Sequence, residues 1–295
     1  MPFSSSSGKS WVSQTLRTVR SISQITNILD IGPGSGTYYN LYSLTLPQAK
    51  WTGVEVWKEY ISKYNLSTKY HKIINKNALE VDYQNLGNFD ICFAGDVLEH
   101  VTKEQSILLM DRILDASICA IISIPIIYMP QGAAENNPHE IHVKDDWSHT
   151  EILRTFSHLL VDDFQDDEIG VYLLSKNQNF IENYSVKSQQ LRALTFAKSK
   201  VEENPDFLYY WFDMAKTAYM AQEWHECFYA AEKAISKFEN LENYAILLHD
   251  FAALAAHNLR YKEVAVERGT IAANLGNEQR LKNNLEFYKS NLNPT

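Results

Sequence analysis

The apolar run Ile28-Leu29-Asp30-Ile31 leads directly into Gly32-Pro33-Gly34-Ser35-Gly36. A short run of this kind predicts a buried parallel strand. Three glycines at alternate positions let the backbone turn sharply and let a ligand come close, because no Cβ stands in the way. Residues 37–46, TYYNLYSLTL, then read as the start of a helix. Strand, glycine turn and helix N-terminus in succession make a nucleotide-type site at the carboxyl end of a parallel sheet.

Two common nucleotide signatures do not fit. A dinucleotide fingerprint needs G-x-G-x-x-G, and here Thr37 occupies the sixth position. Gly8-Lys9-Ser10 has the tail of a phosphate-binding P-loop, but that pattern demands a glycine where Phe3 stands, and no strand precedes it. Ser4 to Ser7 therefore read as a flexible start.

A third pattern does fit. Asp30-Ile31-Gly32-Pro33-Gly34-Ser35-Gly36 resembles the first motif of the class I S-adenosylmethionine (SAM) methyltransferases. Trp51-Thr52-Gly53-Val54-Glu55-Val56 resembles their second strand, which ends in an acid. Lys76-Asn77-Ala78-Leu79 resembles the turn after the third strand, and residues 89–101, FDICFAGDVLEHV, the fourth strand and the segment beyond it. The likeness runs over about residues 10–175. It implies an α/β fold with a Rossmann-like, mostly parallel seven-stranded sheet.

The chain has 295 residues, 45% of them hydrophobic and 12% aromatic, enough for a real core in one large or two smaller domains. A formal charge of −9 argues against a general nucleic-acid binder, which needs a basic surface. Cys92, Cys119 and Cys227 are odd in number and far apart, which predicts free thiols and no cysteine zinc site. The N-terminus lacks the apolar stretch of a signal peptide, and the longest apolar run, Ala120 to Met129, is too short to span a bilayer. A cytoplasmic protein without a membrane segment is expected.

Strands are expected near 27–31, 50–56, 70–74, 89–94 and 118–124, with helices between them such as Lys103 to Ala116. Alternation of this kind makes a parallel sheet covered by helices. Leu159 to Asp163 and Val171 to Ser175 read as a closing hairpin. Residues 1–176 are thus expected to form the first domain and 177–187 a linker, with 188–295 an all-α region. There, Asp213 to Ala218 aligns with Asp250 to Ala255, and Trp224-His225-Glu226 with Tyr261-Lys262-Glu263, both at an offset of 37 residues. This resembles tetratricopeptide repeats, whose period is about 34 residues, and implies helical repeats that bind a partner protein or a large acceptor.

The methyltransferase resemblance implies SAM as cofactor and assigns its contacts. Gly32, Gly34 and Gly36 would cradle the amino-acid end, and Asp30 would help to orient it. Glu55 would accept from both ribose hydroxyls, as a carboxylate can. Val56, Asn77 and Ala78 would border the adenine, Asn77 standing where many relatives have Asp. Trp57 would lie near the same ring or in the core. Asp96 and Val97 would border the methionine portion.

The acceptor side is less defined. The Asn/Asp-Pro-Pro-aromatic motif of amino-methylating DNA enzymes is absent after the fourth strand, where the chain reads Asp96-Val97-Leu98-Glu99-His100. This resembles the small-molecule and sugar-directed branches. The long segment 125–149 follows the fifth strand and can fold over the site as a lid. His139 or His142 would serve as general base, Glu99 and His100 would complete the catalytic set, Trp147 would wall the acceptor pocket, and Ser148 would cap the next helix. The expectation is O-methylation of a small molecule or sugar with no metal. Two alternatives stand beside it. One is a non-catalytic scaffold acting through the repeats. The other is an RNA 2′-O-methyltransferase in which Glu99, His100 and His139 or His142 hold a divalent ion.

Overall fold

The structure, a computed structural model, describes residues 6–292, the side chain of Glu242 excepted. Ser4 and Ser5 of the expected flexible start lie outside the described residues. The chain divides into two compact units, Met1–Ser185 and Val186–Thr295.

In the first unit, α1 (Lys9–Ile22) precedes β1 (Asn27–Ile31), α2 (Thr37–Tyr42), β2 (Lys50–Val54), α3 (Lys58–Lys63), α4 (Leu66–Lys69) and β3 (Lys72–Ile74). Then come β4 (Phe89–Gly95), α5 (Lys103–Ala116), β5 (Ser117–Pro125), α6 (His149–Thr155), β6 (Leu160–Gln165) and β7 (Ile169–Leu174). The strands form one seven-stranded sheet in the order β3-β2-β1-β4-β5-β7-β6. Only β7 runs antiparallel to its neighbours. The order is that of the class I methyltransferase fold expected from the sequence.

The strands are apolar almost throughout because both faces are covered. Alternate residues divide between two cores, as a period of two requires. Leu29, Ile31, Cys92, Ala94, Ala120 and Ile122 join Leu109 and Ile113 of α5 on one face. Ile28, Ile91, Phe93, Cys119 and Ile121 join Val12, Leu16 and Val19 of α1 on the other. Burial of each large side chain contributes about 1.5–3 kcal/mol. Polar groups fix the ends. Asp90 Oδ2 accepts from the backbone N–H of Thr26 (2.6 Å) and Asn27 (2.9 Å), holding the start of β1 against β4. Thr102 and Gln105 close a capping box at the start of α5.

From the centre of the sheet, β1 leads outward to β2 and the chain returns to β4 on its other side. Opposite connections part at this pair and leave a crevice at the carboxyl ends of the strands, where α/β sheets bind ligands. The segment from β5 to α6 crosses toward that edge and contains a short 3₁₀ turn, Pro138–Glu140, and an isolated bridge between Ala134 and Asn137. The backbone N–H groups of Val143 and Lys144 donate to the Glu99 carbonyl, at 2.8 and 3.0 Å.

The unit boundary falls inside one helix, α7 (Gln178–Glu203), capped by Asn177 Oδ1, which accepts from the Phe180 N–H. The separate linker expected over 177–187 is therefore replaced by helix from Gln178 onward. In the second unit follow α8 (Leu208–Met220), α9 (Trp224–Lys237), α10 (Ala245–Asn258), α11 (Lys262–Leu275) and α12 (Gln279–Leu292). Fully buried alanines, among them Ala215, Ala218, Ala230, Ala252 and Ala255, let these helices approach closely.

The α8–α9 and α10–α11 hairpins turn identically. Each has a left-handed residue, Gln222 or Arg260. Each also has a backbone bond six residues long, Glu223 N–H to the Ala218 carbonyl or Tyr261 N–H to the Ala256 carbonyl. The structural counterpart of Glu223 is thus Tyr261. The 37-residue alignment, which pairs Tyr261 with Trp224, slips by one at the turn because α10 is a residue longer than α8. Cys92, Cys119 and Cys227 are free and buried. No described helix is long and apolar enough to cross a membrane.

Candidate active site

The first turn of the site is built from backbone. Gly32, Gly34 and Gly36 have φ of 59°, 51° and 82°, a left-handed conformation that side-chain-bearing residues rarely adopt. At Gly32 a Cβ would in addition lie 2.9 Å from Val97 Cγ2. The Gly32 N–H still pairs with the Val54 carbonyl (2.9 Å), so the turn starts from the sheet itself. Gly36 closes it at the N-terminus of α2 and faces Lys69 and Leu66.

Glu55 follows β2 and reaches back into this turn. Its Oε2 accepts from the Gly34 N–H at 3.2 Å and its Oε1 from the Trp57 N–H at 2.8 Å. Only 4% of the residue is exposed. Burial pushes its pKa up to about 7 against those two N–H donors. Asp30 lies beneath the turn, also buried, and accepts from the Tyr70 hydroxyl at 2.6 Å, while its Oδ1 has no partner. Burial raises Asp30 to about 7.

A cavity of about 210 Å³ opens above these groups. Its walls include Gly32, Gly34, Glu55, Val56, Asn77 and Ala78 on the β1–β2 side, and Asp96, Val97 and His100 after β4. Asn77 Oδ1 accepts from the Leu79 N–H at 2.9 Å, which holds Ala78 at the wall. Asp96 has φ 54° and donates its N–H to the Ser123 carbonyl. The lid supplies Asn137, His139 and Glu140. The His139 ring meets Trp57 edge to face at 6.0 Å. Asp30 and Gly36, in contrast, stand behind the wall and act through the turn.

Four residues named for catalysis divide. His139 and His100 line the cavity; Glu99 and His142 stand just behind it. Glu99 is 2% exposed, and burial, with Asp96 beside it, pushes its pKa well above the carboxylate range. Burial lowers the pKa of His100. Trp147 is not an acceptor wall: it is 1% exposed, packed in the core under α5 and α6, with Lys144 over its ring at 5.0 Å. Ser148 caps α6 as expected, accepting from the Glu151 N–H.

The sequence pattern did not single out Lys9, Tyr38 or Glu140. Lys9, the first residue of α1, donates to the Tyr38 hydroxyl at 3.2 Å and lies 4.5 Å above its ring. Burial lowers its pKa, opposed by Asp96 and Asp30. Tyr38 lines the cavity, and Gly95 leaves room for it, since a Cβ there would lie 2.6 Å from the phenol oxygen. The Gly8-Lys9-Ser10 stretch was the one available signal, and no local pattern ties it to residue 96.

Residues 29–116 match a family described as "Methyltransferase domain". The similarity is to a methyltransferase domain and covers that stretch of the first unit. Solved structures with a similar fold include a proposed O-methyltransferase of Nostoc punctiforme. It is 17% identical over 55% of this chain and 56% of that one, with a TM-score of 0.39. This chain therefore spans just over half of that protein. N-methyltransferase NodS from Bradyrhizobium japonicum is 16% identical over 56% and 94%, with a TM-score of 0.39. A SAM-dependent methyltransferase from Clostridium acetobutylicum is 11% identical over 57% and 91%, with a TM-score of 0.43. No curated protein matches the chain in sequence.

Proposed function

We propose that this methyltransferase domain is catalytic, takes SAM as donor, and methylates a hydroxyl of a small-molecule or sugar acceptor. The observation that carries the reading is Glu55: a carboxylate 96% removed from solvent, aimed into a three-glycine turn at the crevice of the sheet. A scaffold needs no such group, and burying it unligated is costly.

The residues present fit the donor. The cradle at Gly32 and Gly34 admits the amino-acid portion, and Lys9 and Tyr38 stand beside Asp96 to meet its carboxylate and ammonium. Glu55 suits a ribose diol, and Val56, Asn77 and Ala78 border the position of the base. SAM when bound supplies a methyl group on positively charged sulfur, already activated for transfer. The protein has only to hold the acceptor in line, exclude water and accept a proton. We assign the taking of that proton to His139, because it lines the cavity from the lid. The helical unit, with its two identically turned hairpins, is read as a tetratricopeptide-like surface for a partner or a large acceptor.

Calorimetric titration of the full chain with SAM and with its demethylated product, S-adenosylhomocysteine (SAH), tests the donor half. Binding near 1 μM, about −8 kcal/mol, that Glu55→Ala loses while its melting curve persists is the expected result. A folded wild-type protein that binds neither compound would leave only the scaffold reading. With binding in hand, a label-transfer screen over hydroxylated metabolites and sugars tests the acceptor half.

A further inference from the structure

Where the turn after β4 meets the lid, the cavity is walled by aliphatic side chains. Val97 and Val101 come from the turn, Ile141 and Val143 from the lid. The lid is pinned there through its backbone. Val143 donates its N–H to the Glu99 carbonyl at 2.8 Å, and His100 Nδ1 lies 3.2 Å from the Ile141 carbonyl oxygen. The chain is extended at Ile141, and extended chain turns alternate side chains to opposite sides. Ile141 and Val143 accordingly line the cavity, and His142 and Lys144 do not. All four aliphatic wall residues are β-branched and stiff about χ1, so the surface is preformed. Yet Ile141 is 41% exposed and Val143 56%. Apolar surface left open at a cavity is the surface that a ligand covers.

Charge narrows the occupant. Among the described residues of the wall, Lys76 is the only lysine or arginine, and it adjoins Asn77 and Ala78 on the side read as holding the donor's base. The aliphatic end thus offers no lysine or arginine to a phosphate or a carboxylate, while Asp96 and Glu140 stand on the same wall. A phosphorylated or carboxylated acceptor would meet like charge there. A sugar would press several hydroxyls against aliphatic side chains and leave them unpaired. The reacting group follows from the base at hand. A phenol ionises at about 10, an alkyl or sugar hydroxyl several units higher. An imidazole takes the proton of a phenol at far smaller cost.

We propose that the acceptor is a neutral phenol, a hydroxyl on an uncharged aromatic ring system that packs against Val97, Val101, Ile141 and Val143. The assignment rests on the methyl-transfer reading and narrows it, setting the sugar aside. The phenol oxygen forms its bond to the methyl carbon while its proton passes to His139 and on to water. The carbon–sulfur bond breaks with its electron pair going to sulfur, and SAH leaves. Ile141 and Val143 touch only the ring system, so they set specificity and leave the donor site alone.

The test is titration of the full chain, with and without saturating SAH, with four probes: 2-naphthol, 6-hydroxy-2-naphthamide, 6-hydroxy-2-naphthoate and methyl glucoside. Naphthol and the amide are expected to bind, the naphthoate about tenfold more weakly than the amide, and the glucoside not measurably. Ile141→Asn and Val143→Asn should each weaken naphthol about fivefold or more and keep SAH within about twofold of wild type. Label from SAM should pass to naphthol at least about a hundredfold faster than to 2-decalol, its saturated counterpart. A naphthoate that binds as well as the amide overturns the assignment. So does a glucoside that binds as well as naphthol, a decalol labelled as fast, or a naphthol affinity unchanged in both variants. No naphthol binding to a protein that binds SAH overturns it and leaves the donor reading standing. Naphthol binding that both variants lose, on a protein that binds no SAH, supports the apolar site and refutes the donor reading alone. Should either variant melt early, Ile141→Ala or Val143→Ala replaces it under the same criteria.

Discussion

Replacing Glu55 by Gln should weaken SAH binding and change how that binding depends on pH. In the free protein both carboxylate oxygens accept backbone N–H bonds, from Gly34 at 3.2 Å and Trp57 at 2.8 Å. Binding the ribose diol requires the same oxygens to accept from hydroxyls, which favours the ionised form. Gln keeps the shape but offers one oxygen, and its amide N–H₂ confronts an N–H donor. The loss of one charge-assisted bond is worth about 1.5–3 kcal/mol, or roughly 10–150-fold in Kd. The carboxyl of the free protein sits at about 7 because of burial. SAH affinity of the wild type should therefore rise with pH, about tenfold per unit below that value, and level off above it. Binding on the acid side releases a proton, so calorimetry in two buffers of different ionisation heat should count it. In Glu55→Gln that proton is gone, and the pH dependence due to it should go with it. A variant whose Kd is within twofold of wild type, or whose pH slope is unchanged, would refute the assignment of Glu55 to the ribose.

The same burial sets the stability of the free protein. Asp30 and Glu55 are raised from 3.8 and 4.5 to about 7, so the folded state keeps protons that the unfolded chain has lost. Their contribution makes stability fall as pH rises between about 4 and 7, on the order of 3 kcal/mol per carboxylate; calorimetric melts should show Asp30→Asn flattening that fall. Lys9→Met should weaken SAH about 5–10-fold, roughly 1 kcal/mol, and leave adenosine binding unchanged; equal losses for both ligands would move Lys9 away from the amino-acid end. Gly32→Ala should cost about 1–2 kcal/mol of stability from its φ of 59° alone. It should also lower SAH affinity more than tenfold, and Val97→Ala should not restore either, because the backbone strain remains.

Much of the domain is local in origin and therefore readable. An apolar run broken by three alternating glycines dictates a strand and a left-handed turn whatever surrounds it, and the acid after the second strand falls opposite because parallel strands end together. The capping signal at Ser148 is equally local. Trp147 shows where such reading stops. A tryptophan one residue before a helix cap can face a cavity or a core, and the packing of α5 and α6 over it decided for the core. The linker failed for the reverse reason: residues 178–187 carry no breaker, and helix simply continued through them. The repeat was visible at 37 residues, but one extra residue in α10 moved the second turn, which a sequence alignment without a gap cannot show.

By itself, then, the sequence determined the strand–helix alternation, the glycine turn and the helical character of residues 188–291, since each follows from periodicity or backbone chemistry within a few residues; the seven-stranded sheet and the carboxylate beside the turn were what the family resemblance implied. Tertiary structure alone decided which distant side chains share the cavity. Lys9 reaches Tyr38 across 29 positions, and His142 meets Glu99 and His100 across more than 40. Chemistry between groups so far apart in the chain depends on where helices and lid cross the sheet edge, and no short-range pattern encodes that crossing.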